Sequence, residues 1–185
     1  MTQFFDEKGN VIPVTIIKAG PCEIAQIKTQ EKDGYNALQL GLILQKNSKK
    51  KKQKNLKEFR LENFEELNSY IEKKIIDTSI FNPGDLVNVT GYGIGRGFSG
   101  YQKRHHFARG PMTHGSKNHR LPGSIGAGTT PGRVFPGTKM AGRKGSNKVT
   151  IRNLTIVQIE TEQNLIILKG SIPGKNGALI NIYLK

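Results

Sequence analysis

Between Asp85 and Glu160 the chain carries no acidic residue. Inside that interval, Gly91–Lys148 holds all four histidines, most of the glycines, and an Arg or Lys every few residues. Its large apolar residues stand singly (Phe98, Phe107, Met112, Val134, Phe135, Met140) and follow neither the helical nor the strand period. A segment this long without periodicity does not belong inside a compact domain unless something outside it supplies the order. A cationic, glycine-rich chain free of negative side chains is suited to lie along a polyanion. Glycine lets the backbone come close to phosphate, and Arg and Lys neutralise it. The chain is therefore restricted to a modest packed domain carrying a long excursion.

Composition agrees. The formal net charge is +15 and the sequence pI about 10.0, and a pI above roughly 9 is the footprint of nucleic-acid binding. The apolar fraction of 35% supports a small core, as in a compact barrel or sandwich with an arm. A single cysteine, Cys22, excludes an internal disulfide and a cysteine-based zinc site, and fits a reducing compartment. No apolar run approaches the ~18 residues of a membrane span. The opening MTQFFDEKGN resembles neither a secretory signal nor an Arg/Ser-rich transit peptide, so the protein is expected to work where it is made.

Outside the basic stretch the runs are short and β-rich. Val11–Ile17 and Cys22–Lys28 are strands joined by the turn Ala19-Gly20-Pro21. After a turn at Lys32-Asp33-Gly34, Ala37–Leu44 is a third strand, a meander pattern. Ser48–Lys54 is a charge run expected to form a loop. Glu58–Leu61 is a short strand, and Asn63 with Glu66 forms a capping box for a helix whose Phe64, Leu67 and Ile71 share a face. Phe81–Asp85 turns, and Leu86–Thr90 delivers the chain into the basic loop. Strands return at Val149–Glu160, Leu165–Lys169 and Ala178–Leu184. This gives a discontinuous β-domain, residues 1–90 and 149–185, with 91–148 as an excursion fixed at both feet.

Three alternatives for the loop fail on chemistry. Gly95-Arg96-Gly97-Phe98-Ser99-Gly100 has the spacing of a dinucleotide fingerprint. No amphipathic helix is expected after it, because YQKRHHF carries clustered charge, and the acid that should follow for the ribose is absent. The histidines could ligate zinc, but cationic neighbours and missing carboxylates oppose a divalent ion, so no metal and no cofactor is expected. A catalytic triad has no local acid to orient an imidazole, so no enzyme and no catalytic residue is expected. What remains is RNA contact. Histidines and aromatics (Phe98, Tyr101, Phe107) interleave with cations, as in proteins that stack on bases and bind phosphate. Phe98 suits either a base or an anchor on the β-domain. Around Pro122–Gly128 the chain is small and neutral, a tip able to enter a narrow space between two basic limbs.

These residues carry a resemblance. KRHHFARGPMTHGSKNHRLPGSIGAGTTPGRVFPGTKMAGRKG resembles the signature of the family of large-subunit ribosomal protein three. Phe81–Val87 and Val89–Gly91 resemble its entry strand, and Asn164-Leu165, Lys169-Gly170 and Ile172-Pro173-Gly174 its closing hairpin. The resemblance implies a mostly β fold, a translation-protein-type six-stranded β-barrel with a short helix. It implies a loop threading large-subunit rRNA toward the peptidyl transferase centre. It also implies binding near the RNA's 3′ domain, a role early in assembly, and large-subunit proteins fourteen and nineteen as neighbours. By motif, the RNA-lining limbs comprise Arg96, Lys103, Arg104, His105, His106, Arg109, His114, Lys117, His119 and Arg120, then Arg133, Lys139, Arg143, Lys144 and Lys148. The tip is Gly126, Ala127 and Gly128.

Some bacterial members carry a methylated glutamine where Ala127 stands, and alanine cannot take that modification. Met1-Thr2-Gln3 aligns slightly inside the family's usual start, so either a shortened first strand or a start that lies upstream of Met1 is expected. The form SIGAGTTPGRVFPG is similar to cyanobacterial and plastid members. With the Lys, Asn and Ile bias it points to the chloroplast stroma, with a bacterial cytoplasm as the alternative. The competing function is a free basic RNA chaperone. Singly placed aromatics and histidines favour a specific fit over a chaperone tail.

Overall fold

The computed structural model describes residues 1–42, 54–61 and 74–185. The chain is mostly β, in twelve strands among these residues: β1 Thr2–Phe5, β2 Val11–Lys18, β3 Cys22–Lys28, β4 Ala37–Leu42, β5 Lys54–Arg60, β6 Ile75–Ile76, β7 Leu86–Tyr92, β8 Phe98–Ser99, β9 Gly142–Arg143, β10 Lys148–Glu160, β11 Leu165–Lys169 and β12 Ile180–Leu184. One-turn helices occupy Gln30–Asp33 and Tyr101–His105, with a 3-10 turn at Thr78–Ile80. The charge run (but for Lys54, which opens β5) and the helix expected after Asn63 lie outside the described residues.

The strands form a six-stranded sheet in the order β1-β2-β11-β10-β7-β12, a four-stranded sheet β5-β4-β3-β6, and the two-stranded β8-β9. The expected six-stranded barrel is met in β content and strand number but not in closure. Among the described residues the six-stranded sheet is open, with β1 and β12 as its edges.

The core follows from the strand sequences. β11 is a continuous apolar run, and Ile166, Ile167 and Leu168 are all buried, as expected for a central strand covered on both faces. It pairs with β2 in the register Ile166↔Ile17 and Leu168↔Thr15, and with β10 at Ile156↔Leu168. Val14, Val87, Val89 and Ile156 complete this layer. In the four-stranded sheet, Ala37 and Leu38 are buried where β4 pairs with β3 and β5.

The chain opens on a strand hairpin, in which Thr2–Phe5 pairs with Val11–Val14. Asp6 closes that hairpin. Its carboxylate accepts from the Lys8 and Asn10 amides (3.0 and 2.7 Å) and from Asn10 Nδ2 (2.9 Å). These bonds, the Asn10 side chain's first, hold the Asp6 carboxyl below its ordinary range.

A second polar cluster ties β3 to β5. Lys28 Nζ donates to Tyr35 Oη (2.7 Å) and pairs with Glu58 (2.9 Å), and Tyr35 Oη donates to Glu58 (3.1 Å). The Tyr35 bond first, and the Glu58 bond second, raise the Lys28 ammonium above its usual range. Lys28 and then Tyr35 lower the Glu58 carboxyl. At Cys22, burial first and the Asp77 carboxylate second push the thiol up, which leaves it a poor nucleophile.

By compactness the chain divides into two units. One comprises Met1–Val89, Ile151–Ile172 and Ile182–Lys185. The other comprises Thr90–Thr150 and Pro173–Asn181.

Candidate nucleic-acid interface

The second unit contains the basic stretch and Lys175, and no Asp or Glu. Its Lys and Arg number twelve, so +12 of the chain's net +15 falls within it. No carboxylate within the unit offsets that charge, which favours attraction of an anionic partner.

The loop is more ordered than its sequence suggests. Its outbound and inbound limbs pair as a neck. The Gly93 amide donates to Asn147 O (2.9 Å), Arg96 N to Lys144 O (2.9 Å) and Lys144 N to Gly97 O (3.0 Å), and β8 and β9 then pair Phe98 with Arg143 and Ser99 with Gly142. The limbs approach this closely because of glycine. Gly145 has φ +81°, and a Cβ there would run into the Ile94 carbonyl.

Above the neck, Tyr101–His105 forms a short helix with no buried residue, which is not the amphipathic helix a dinucleotide fold requires. It is five residues long and ends at His106, whose left-handed φ of 61° turns the chain while its amide bonds Gln102 O. Histidine tolerates this region better than most residues. So short a helix makes no βαβ unit, and the dinucleotide reading has no support.

The side chains divide into two sets. Arg96, Lys103, His106, Arg109, His114, Lys117, Arg120, Arg133, Lys139, Arg143 and Lys148 are exposed. Arg104, His105, His119 and Lys144 are half-buried and bond to the loop's own backbone. Arg104 Nη1 (2.7 Å) and His105 Nε2 (2.9 Å) both donate to Met140 O. Lys144 Nζ donates to Lys103 O. His119 Nδ1 donates to Pro111 O (2.8 Å) beside the Gly110 N–His119 O bond (3.0 Å), closing a small loop of its own.

Tyr101, His105 and Phe107 pack together, with ring centroids 5.9 and 6.0 Å from Phe107. Phe98 does the opposite: it is 80% exposed. Phe135 is also exposed, with the Arg133 guanidinium 5.9 Å from its ring centroid. Sequence reasoning passed over Phe135 as a scattered apolar residue, although the Arg-Val-Phe spacing was a signal. At the tip, Gly126, Ala127 and Gly128 are exposed, and Ser124 Oγ donates to Gly126 O (3.1 Å). Among the described residues no cluster of His, Cys, Asp or Glu is placed to hold a metal ion.

Known proteins share this chain's pattern along nearly its whole length. A family model described as Ribosomal protein L3 matches residues 36–165. The large ribosomal subunit protein uL3c of Cyanophora paradoxa is 57% identical, over 98% of this chain and 92% of its own length. The uL3c of Porphyra purpurea is 56% identical over 98% and 94%. The uL3 of the cyanobacterium Thermosynechococcus vestitus is 54% identical over 98% and 91%. The class is thus a structural, non-enzymatic ribosomal protein. Within it, the chain belongs to the ribosomal protein L3 family and is of the plastid and cyanobacterial type.

Proposed function

We propose that this chain is a constituent of the large ribosomal subunit that binds large-subunit rRNA near its 3′ domain, aids early subunit assembly, and extends residues 91–148 toward the peptidyl transferase centre. The observation that carries the reading is the second unit itself: twelve cations, no carboxylate, and a backbone already paired at its neck. Exposed cations on both limbs supply phosphate neutralisation. The open faces of Phe98 and Phe135 suit unpaired bases, which stack on aromatic rings. The neutral tip at Gly126, Ala127 and Gly128 enters where a charged one would not. In this reading the remaining residues form the translation-protein barrel on the subunit surface, beside large-subunit proteins fourteen and nineteen. Catalysis belongs to the RNA. The relatives named uL3c support a plastid ribosome as the setting, and those named uL3 a bacterial one.

The test is sedimentation of organelle or cell extract on sucrose gradients at low and high salt, with detection of this chain. Binding through loosely held phosphate contacts falls by several orders of magnitude as salt rises. Retention with the large subunit at high salt is expected of a threaded component. Release to the top of the gradient would instead identify a free RNA chaperone.

A further inference from the structure

We infer that Arg104, His105 and Lys144 are positioning residues that latch the lobe of the loop to its neck, and that they stand apart from the cations that meet RNA. The inference rests on the RNA-binding reading above and divides its residues. Met140 O receives two donors, Arg104 Nη1 and His105 Nε2, which fills both lone pairs of the carbonyl. Lys144 Nζ returns the contact from the other limb to Lys103 O. The three bonds span 36, 35 and 41 residues of chain, so each fixes the helix Tyr101–His105 to the inbound limb rather than decorating a local turn.

The neighbouring residues are shaped for the latch. Gly142 leaves room for the guanidinium: a Cβ there would meet Arg104 Nη1 at 2.5 Å and Cζ at 3.2 Å. Phe107 packs against the His105 ring, holding it toward the carbonyl. A guanidinium bound to a backbone carbonyl is committed before any phosphate arrives. By contrast Arg143, on β9 beside Gly142, is exposed and makes no side-chain bond that competes with phosphate among those described.

Two readouts on the full chain separate the roles. The first is amide hydrogen exchange of Arg96 and Lys144 in the protein without RNA. Arg104→Gln and His105→Leu should each speed exchange at least tenfold. His105→Gln, which keeps a donor in the same place, should restore protection. The second is binding to an in vitro transcript of large-subunit rRNA across a salt series. Arg143→Gln should flatten the dependence of log K on log salt by about 0.7–0.9, the loss of one phosphate contact. Arg104→Gln should leave the slope unchanged and weaken binding by a similar factor at every salt concentration. Unchanged exchange in both latch variants, or a slope change in Arg104→Gln matching that of Arg143→Gln, overturns the inference. If the wild-type chain fails to bind the transcript, the RNA-binding reading falls, and the exchange data still decide whether the latch exists.

Discussion

Replacing Gly145 with alanine tests whether the neck is a built structure or an incidental approach of two limbs. At φ +81° a non-glycine residue costs about 1–2 kcal/mol on backbone grounds alone. The added Cβ also meets the Ile94 carbonyl, Gly95 Cα at 2.9 Å and Arg96 N at 3.1 Å, all backbone atoms that no rotamer change can move aside. The limbs must separate, and the nearest bonds to suffer are Arg96 N–Lys144 O and Lys144 N–Gly97 O. At about 0.5–1.5 kcal/mol each, the total becomes roughly 2–5 kcal/mol. Gly97→Ala is the control: its φ is +63°, but no atom lies within 4 Å of the new Cβ, so only the backbone cost applies. Amide exchange measures the difference. Gly145→Ala should lower protection of the Arg96 and Lys144 amides at least ~30-fold, with Gly97→Ala showing the smaller loss and Leu168 in the core unaffected by either. Equal effects of the two substitutions would refute the steric argument.

Other predictions test different links. Arg143→Glu places a carboxylate in the exposed inbound limb and should reduce the yield of large subunits containing this chain; a normal yield would remove Arg143 from the interface. Deleting Ile125 to Gly128 should disturb the peptidyl transferase region, read by chemical probing, more than it reduces occupancy of the chain in the subunit. Leu168→Ala should cost about 2–5 kcal/mol in denaturant unfolding, since Leu168 is fully buried on β11; a loss under ~1 kcal/mol would mean the site collapses freely. The Glu58 carboxyl is lowered, so its contribution is present above its unfolded value and lost as pH falls through the folded one. Lys28 is raised, so its contribution is present below its unfolded value and lost as pH rises through the folded one. The stability advantage of wild type over Glu58→Gln should therefore hold near neutrality and vanish in acid, as followed by thermal unfolding between pH 2 and 7.

Local chemistry made some elements legible and left others hidden. Cys22–Lys28 and Leu165–Lys169 end where expected because turn residues bound apolar runs on each side. β1 was signalled by the family resemblance rather than by its residues, since its hairpin closes on the Asp6 cluster, a bond pattern that MTQFFDEKGN encodes only through Asp6 and Asn10. The two-residue strands β6, β8 and β9 are too short for any periodicity to announce. The positive charge of the loop was plain, but its division was not. Arg104 and Arg143 look alike in sequence, and only the placement of Met140 beside the helix turns one inward. Phe98 was open between anchor and platform, and its exposure speaks against the anchor.

The pairing of β2 with β11 also orders events in time. Thr15 Oγ1 donates to Gly170 O across 155 residues, so the central strand pair must wait for almost the whole chain to be made. At about 5–20 residues per second, that interval is roughly 8–30 s. During it Gly91–Lys148 is already synthesised, with its cations available before the sheet that fixes its feet is finished. The long basic stretch is thus complete before the strand that joins β2 to β10 exists.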